Sequence, residues 1–294
     1  MKRFLGLSLV LLVSLGCAPS ATEPPRSNQD SEDPPAEVSE RQPAAEAVEN
    51  IDFSEASFLY SASVTGTDFD IITTTDPTEF CRLEYTGRSQ QEMPDKTNDG
   101  ELFAEAITFN AHFSHGSPIA FALDIDFDTT AAAEAEAQRY ATRLGKLPFV
   151  LRRGVNRLVV HKGLPDTTAF SDVGLIVVYS ANADRRIQTN DLEETLFHES
   201  VHATWDSAHA TSSSWLNAQR EDFAFVTNYA KGLPELEDLA ESALFAFALT
   251  AHPERLPVGD AQAINRAIPA RIAIVGSLLS EGPHTPSGAS CPDS

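Results

Sequence analysis

His198-Glu199-Ser200-Val201-His202 constrains this chain more than any other stretch. Side chains four residues apart stack on one face of an α-helix, so a helix here sets two imidazoles side by side with the carboxylate of Glu199 next to the first. Two imidazoles so placed can share one metal ion, in the arrangement of zinc hydrolases, and the neighbouring carboxylate can take a proton from the water that completes the ion's shell. Residues 192–205 contain neither Gly nor Pro, and Asn190 followed three positions later by Glu193 matches a capping box, so a helix starting near residue 191 is expected. Just before it, residues 173–179 form a short apolar, β-branched run that reads as a buried strand.

A tetrahedral catalytic site takes three protein ligands and leaves the fourth position to water, so a third ligand must come from elsewhere in the chain. His209 is one residue too distant for the His-x-x-Gly-x-x-His spacing, and Trp205 stands where that pattern needs its Gly. Asp206 lies one turn beyond His202, where a short carboxylate is better placed to hydrogen-bond an imidazole than to reach the metal. Glu237 and Glu241 are stronger candidates, one turn apart on a second expected helix, residues 237–247, that is rich in Ala, Leu and Phe. Carboxylates on so apolar a surface are costly to bury without partners, and a metal and an imidazole would be suitable ones. The alternative is that both face solvent in an acidic protein.

The succession His198-Glu199-x-x-His202-x-x-x-Asp206, then Phe225-Val226-Thr227-Asn228-Tyr229-Ala230, then Glu237-Asp238-Leu239-Ala240-Glu241 resembles the anthrax lethal factor-like and Pro-Pro endopeptidase-like zinc metallopeptidases. The resemblance covers about residues 192–247. It implies an α+β, zincin-like domain with Zn2+ as cofactor, held by His198, His202 and Glu237, and a peptide or protein as substrate. Glu199 would be the general base, Tyr229 would help stabilise the oxyanion, and Glu241 would support a ligand histidine as Asp206 does. By likeness to zincins, the strand around residues 176–179 is expected to be the sheet edge along which substrate pairs. Two departures stand out: the interval from Tyr229 to Glu237 is one residue longer than the family pattern, and Ser200-Val201 replace the apolar residue and Gly often found there. A different class of function, a non-catalytic envelope lipoprotein that keeps the fold to bind a partner or a metal, has no need of Glu199.

Met1-Lys2-Arg3 precedes the apolar run 4–15, which has the charged start and the length of a secretory signal and is too short for a permanent membrane span. Residues 1–16 therefore read as a signal peptide. Gly16-Cys17 resembles a bacterial lipoprotein cleavage site, which would leave Cys17 lipidated, with ordinary secretory cleavage as the alternative. Residues 17–50 are rich in Pro, Ala, Ser and Glu, cannot bury enough apolar surface to fold, and read as a tether. The chain is thus expected in the cell envelope, touching a membrane only through its lipid, or secreted. In that oxidising setting the two remaining cysteines, Cys81 and Cys291, most simply form a disulfide, two free buried thiols being the alternative.

Residues 51–294 suffice for one large domain or two small ones; with no internal repeat and no long linker they are read as one domain, expected to be a monomer. Segments 57–64 and 69–74 read as strands, 129–144 as a helix stopped by Gly145, 155–161 as a further strand, and the chain from 192 onward as mainly helical, which together give α+β. A net charge of -22 argues against a nucleic-acid partner and offers no basic patch to anionic lipid; an active-site face sharing it would favour cationic or neutral peptides. His112, His115, His161, His252 and His284 have no spacing that recommends them as ligands.

Overall fold

A computed structural model describes residues 51–97, 102–170 and 172–282, together with 286, 288 and 291. The expected signal peptide, Cys17, the tether up to residue 50 and His284 lie outside the described residues. The architecture is mixed α+β. Strand β1 (Ser57–Tyr60) is followed by the long antiparallel pair β2 (Phe80–Glu92) and β3 (Phe103–Phe113), and then by β4 (Ile119–Asp124). Helices α1 (Thr130–Leu144) and α2 (Phe149–Arg152) lead to β5 (Arg157–His161), β6 (Thr168–Phe170) and β7 (Leu175–Tyr179). Thereafter come α3 (Ser180–Gln188), α4 (Leu192–Trp205), α5 (Ser213–Asp222), the short strand β8 (Ala224–Thr227), and α6 (Asn228–Gly232). Helices α7 (Asp238–Ala251), α8 (Val258–Ala267) and α9 (Pro269–Leu279) complete the described chain. Among the described residues no helix is long and apolar enough to cross a membrane.

Six strands form one sheet in the order β2-β3-β4-β5-β7-β6, and β1 pairs in parallel with β8 in a separate two-stranded ladder. Strands β4, β5 and β7 run parallel, while β6 returns antiparallel to β7, with Thr168 opposite Val177 and Phe170 opposite Leu175. This corrects the expectation that residues 176–179 form the edge. All five residues of β7 are buried, because the strand has a neighbour on each side and packing on both faces. The edge is β6, whose three residues are too few to give a readable alternation.

Alternation on the central strands assigns each residue to a face. Leu158 and Val160 of β5, with Ile176 and Val178 of β7, join the main core under α1 and α4. Val159, Leu175, Val177 and Tyr179 point the other way, into a smaller cluster around Met93. Helix α4 is buried on nearly its whole circumference, leaving only His202 and Thr204 partly open, and it packs against α1, α2, α7 and β6.

Three local expectations change with tertiary context. Residues 69–74 are not a strand: the backbone N–H groups of Ile71 and Ile72 donate to Glu194 Oε1 at 2.9 and 2.8 Å, taking them out of any ladder. Asn190 does not cap α4 but adopts φ +59°, and Asp191 takes the cap position without a side-chain bond. Glu193, assigned to the capping box, is instead buried between Lys146 Nζ at 2.9 Å and Arg143 Nε at 3.1 Å. Gly145 ends α1 in right-handed geometry, so conformational freedom is not its role; a Cβ there would stand 2.6 Å from the backbone nitrogen of Phe80.

Cys81 and Cys291 are joined in a disulfide with Cα atoms 5.5 Å apart. His112, His115 and His252 stand beside the carboxylates of Glu84, Glu79 and Glu254, and His161 is buried against Tyr179, all apart from the metal-ligand candidates.

Candidate metal centre

Helical spacing on α4 brings His198 and His202 together, with ring centroids 4.7 Å apart and Nε2 atoms 3.0 Å apart. Glu237 arrives from the residue that caps α7, its Oε2 lying 3.3 Å from each of those two nitrogens. Among the described residues these three are the group whose ligand atoms converge, and His209 is not in it.

Each imidazole is held from behind. His202 Nδ1 donates to Asp206 Oδ2 at 2.6 Å, which leaves the neutral ring's lone pair on Nε2. His198 Nδ1 faces Glu241 Oε1 at 3.4 Å. Glu241 is fully buried and accepts hydrogen bonds from Ser63 Oγ at 2.8 Å, Val64 N at 2.8 Å and Thr227 Oγ1 at 2.6 Å. Thr227 also caps α6 through the N–H of Ala230 at 3.0 Å, so a single hydroxyl ties this short helix to α7.

The donor set fits a bound cation. A tetrahedral ion with bonds of about 2.0–2.1 Å needs ligand atoms about 3.3–3.4 Å apart. The observed separations are 3.0, 3.3 and 3.3 Å. Glu237 Oε2 is buried without a hydrogen-bond partner among the described residues, an expensive state for a carboxylate oxygen unless something positive meets it. In the protein alone, burial pulls the His202 ring down, but the Asp206 and Glu237 carboxylates outweigh this and push it up to about 10. Burial likewise works against the charge on Glu237, yet the adjoining His198 and His202 imidazoles, 3.3 Å from its Oε2, hold its carboxyl well below the usual carboxylate range. Both shifts say that this cluster stabilises positive charge at its centre.

The centre forms the floor of an open pocket of about 380 Å³. Glu199 lines it, 8 % exposed, and burial pushes its carboxyl up despite the opposing fields of His198, His202 and Lys96. Tyr229 stands at the rim on α6, 41 % exposed, its Oη donating to Glu237 Oε1 at 2.8 Å. Burial and this bond to a carboxylate raise the phenol above its ordinary value, so it stays protonated near neutrality. Thr168 and Ala169 of edge strand β6 also line the pocket.

Sequence reasoning missed Lys96, Thr168 and Ala169 in the pocket, and Ser63, Val64 and Thr227 around Glu241. One of these left a local trace, since Thr227 three residues before Ala230 is a cap signature. No family model, curated protein or solved structure matches this chain.

Proposed function

We propose that this chain is a zinc-dependent metalloendopeptidase with a zincin-like fold, exported and anchored at the cell envelope through a lipid on Cys17. The observation that carries the reading is the convergence of His198 Nε2, His202 Nε2 and Glu237 Oε2 within 3.3 Å of one another, beside the buried carboxylate of Glu199. Asp206 and Glu241 support it by facing the far nitrogens of the two imidazoles. The charged start, short apolar run and Gly16-Cys17 support export, as does the Cys81–Cys291 disulfide, which suits an oxidising compartment.

Zinc, when bound, lowers the pKa of a coordinated water toward about 7 and polarises the scissile carbonyl. Glu199 takes one proton from the attacking water as the water oxygen bonds to the carbonyl carbon. The same carboxyl then gives that proton to the departing nitrogen as the C–N bond breaks, leaving an acid and an amine. Tyr229 supplies a neutral O–H donor at the rim for the oxygen on which negative charge builds. Strand β6 pairs only with β7 among the described residues, so its outer side can take an extended peptide beside the centre.

The test combines metal analysis with digestion of a peptide library with and without chelator. One zinc per chain is expected, and Ala at His198, His202 or Glu237 should each remove it. Glu199→Gln, nearly isosteric, should keep zinc and lose activity by about two orders of magnitude or more. Zinc retained in full by Glu237→Ala, or cleavage indifferent to chelator, would overturn the assignment.

A further inference from the structure

The overall charge of the chain disfavours anionic substrates, yet the pocket carries a cation. Lys96 is the lysine that lines it, and no arginine or second lysine does so among the described residues. Three bonds hold the segment around it. Its backbone N–H donates to Tyr179 Oη at 2.7 Å, and that hydroxyl donates in turn to Asp95 Oδ1 at 2.8 Å. The preceding Pro94 carbonyl meets His161 Nε2 at 3.0 Å, and the His161 ring stacks on Tyr179 at the end of β7.

The ammonium itself donates to the carbonyl of Thr167 at 3.1 Å and forms no ion pair among the described residues, its charge reaching the Glu199 carboxylate of the same pocket only through space. An ammonium has three N–H donors, so two remain available to a ligand. The pocket's carboxylates are differently committed. Glu237 and Asp206 face the imidazoles, and Glu199 is shared between the fields of His198, His202 and Lys96 without bonding the ammonium. Thr167 immediately precedes edge strand β6, so a peptide laid along β6 passes the ammonium.

Resting on the peptidase reading, we infer that Lys96 makes this a site for peptides bearing a carboxylate close to the scissile bond. Two sources share that chemistry, an Asp or Glu side chain and a free C-terminal carboxylate. A charge-assisted hydrogen bond formed in a partly dry pocket amounts to about tenfold in kcat/KM.

The experiment uses the zinc-loaded protein and peptides that differ only by Asp or Glu against Asn or Gln near the cleaved bond, each with a free or an amidated C-terminus. The carboxylate form should be cleaved about tenfold better, with the advantage falling as salt rises. The arm in which it appears identifies the source. Lys96→Met should bring the ratio close to one, and Lys96→Glu should invert it toward peptides with Lys at the same position. A ratio near one in the parent protein, or one that survives Lys96→Met, overturns the inference and leaves the peptidase reading standing. Should the parent cleave no peptide, the peptidase reading falls instead, and calorimetric binding of the same peptides decides on Lys96: a carboxylate preference lost in Lys96→Met sustains it, and equal binding overturns it.

Discussion

Replacing Glu241 by Gln should weaken the fold as well as the metal centre, because this carboxylate joins four parts of the chain. Its two oxygens receive Ser63 Oγ and Val64 N at 2.8 Å and Thr227 Oγ1 at 2.6 Å, with His198 Nδ1 at 3.4 Å, all in a site closed to solvent. An amide has one acceptor oxygen, so its NH2 must face one pair of donors. The cheaper orientation turns it toward Ser63, whose hydroxyl can rotate to accept, and toward His198, which then meets a donor instead of a carboxylate. Hydrogen bonds to a charged group are worth about 1.5–3 kcal/mol each, and part of that is recovered by the neutral bonds that remain, giving a net cost of about 2–4 kcal/mol. For a domain of this size that corresponds to a fall of about 5–15 °C in Tm. The loss should be read in chelator-stripped protein by thermal unfolding, so that fold and metal separate. Zinc affinity, measured by competition with a chromophoric chelator, should fall by about ten- to a hundredfold. Thr227→Val offers a graded control, removing one donor and the α6 cap for about 1–2 kcal/mol. Metal-free Glu241→Gln melting within a degree or two of the parent would refute the junction role.

Other outcomes follow from the same geometry. Asp206→Asn should lower zinc affinity by about ten- to a hundredfold without removing a ligand, and unchanged affinity in the competition assay would count against its orienting role. Tyr229→Phe should reduce kcat by about ten- to a thousandfold with little change in KM, whereas normal turnover would leave Tyr229 as a rim residue. Burial pushes Glu194 up to about 7 despite the backbone bonds it accepts, so the folded state binds its proton more tightly than the unfolded chain. The resulting stability is complete below about pH 4.5 and is lost as pH rises through about 7, by about 3–3.5 kcal/mol; denaturant titrations of Glu194→Gln should lack that slope, and its persistence would remove Glu194 as the cause. Reducing Cys81–Cys291, which are 210 positions apart, should lower Tm without releasing zinc. The chain-entropy figure of about 5 kcal/mol is the ceiling for that loss, and a Tm unaffected by reductant would contradict it.

Much of this layout is written in local pattern. The helix over 192–205 follows from an uninterrupted run of helix-compatible residues, and its i, i+4 spacing alone suffices to pair His198 with His202. Thr129 ahead of an Ala- and Glu-rich stretch is a cap that the folded chain uses, its hydroxyl accepting from Ala132 N at 3.1 Å. The apolar run ending at Tyr179 needed no partner to be read as a buried strand. Glu237 and Glu241 stood one turn apart in the sequence, although Glu237 caps α7 and lies outside its hydrogen-bonded body.

What the sequence could not express is which distant backbone meets which side chain. Residues 69–74 have strand composition, but the N–H groups of Ile71 and Ile72 are taken by Glu194, more than a hundred positions away, and that of Thr73 by Asp76. Glu193 has the spacing of a capping residue, but Lys146 and Arg143 offer a buried carboxylate far more than a helix end does. Strand β6 becomes an edge only because the chain folds back on β7, and Lys96 enters the pocket only because Tyr179 catches its backbone. Periodicity reports the face a residue shows to its own helix or strand. Convergence of residues 96, 168, 198, 202, 229 and 237 on one pocket is set by packing between elements, where burial makes each polar group seek whatever partner the closed chain brings near it.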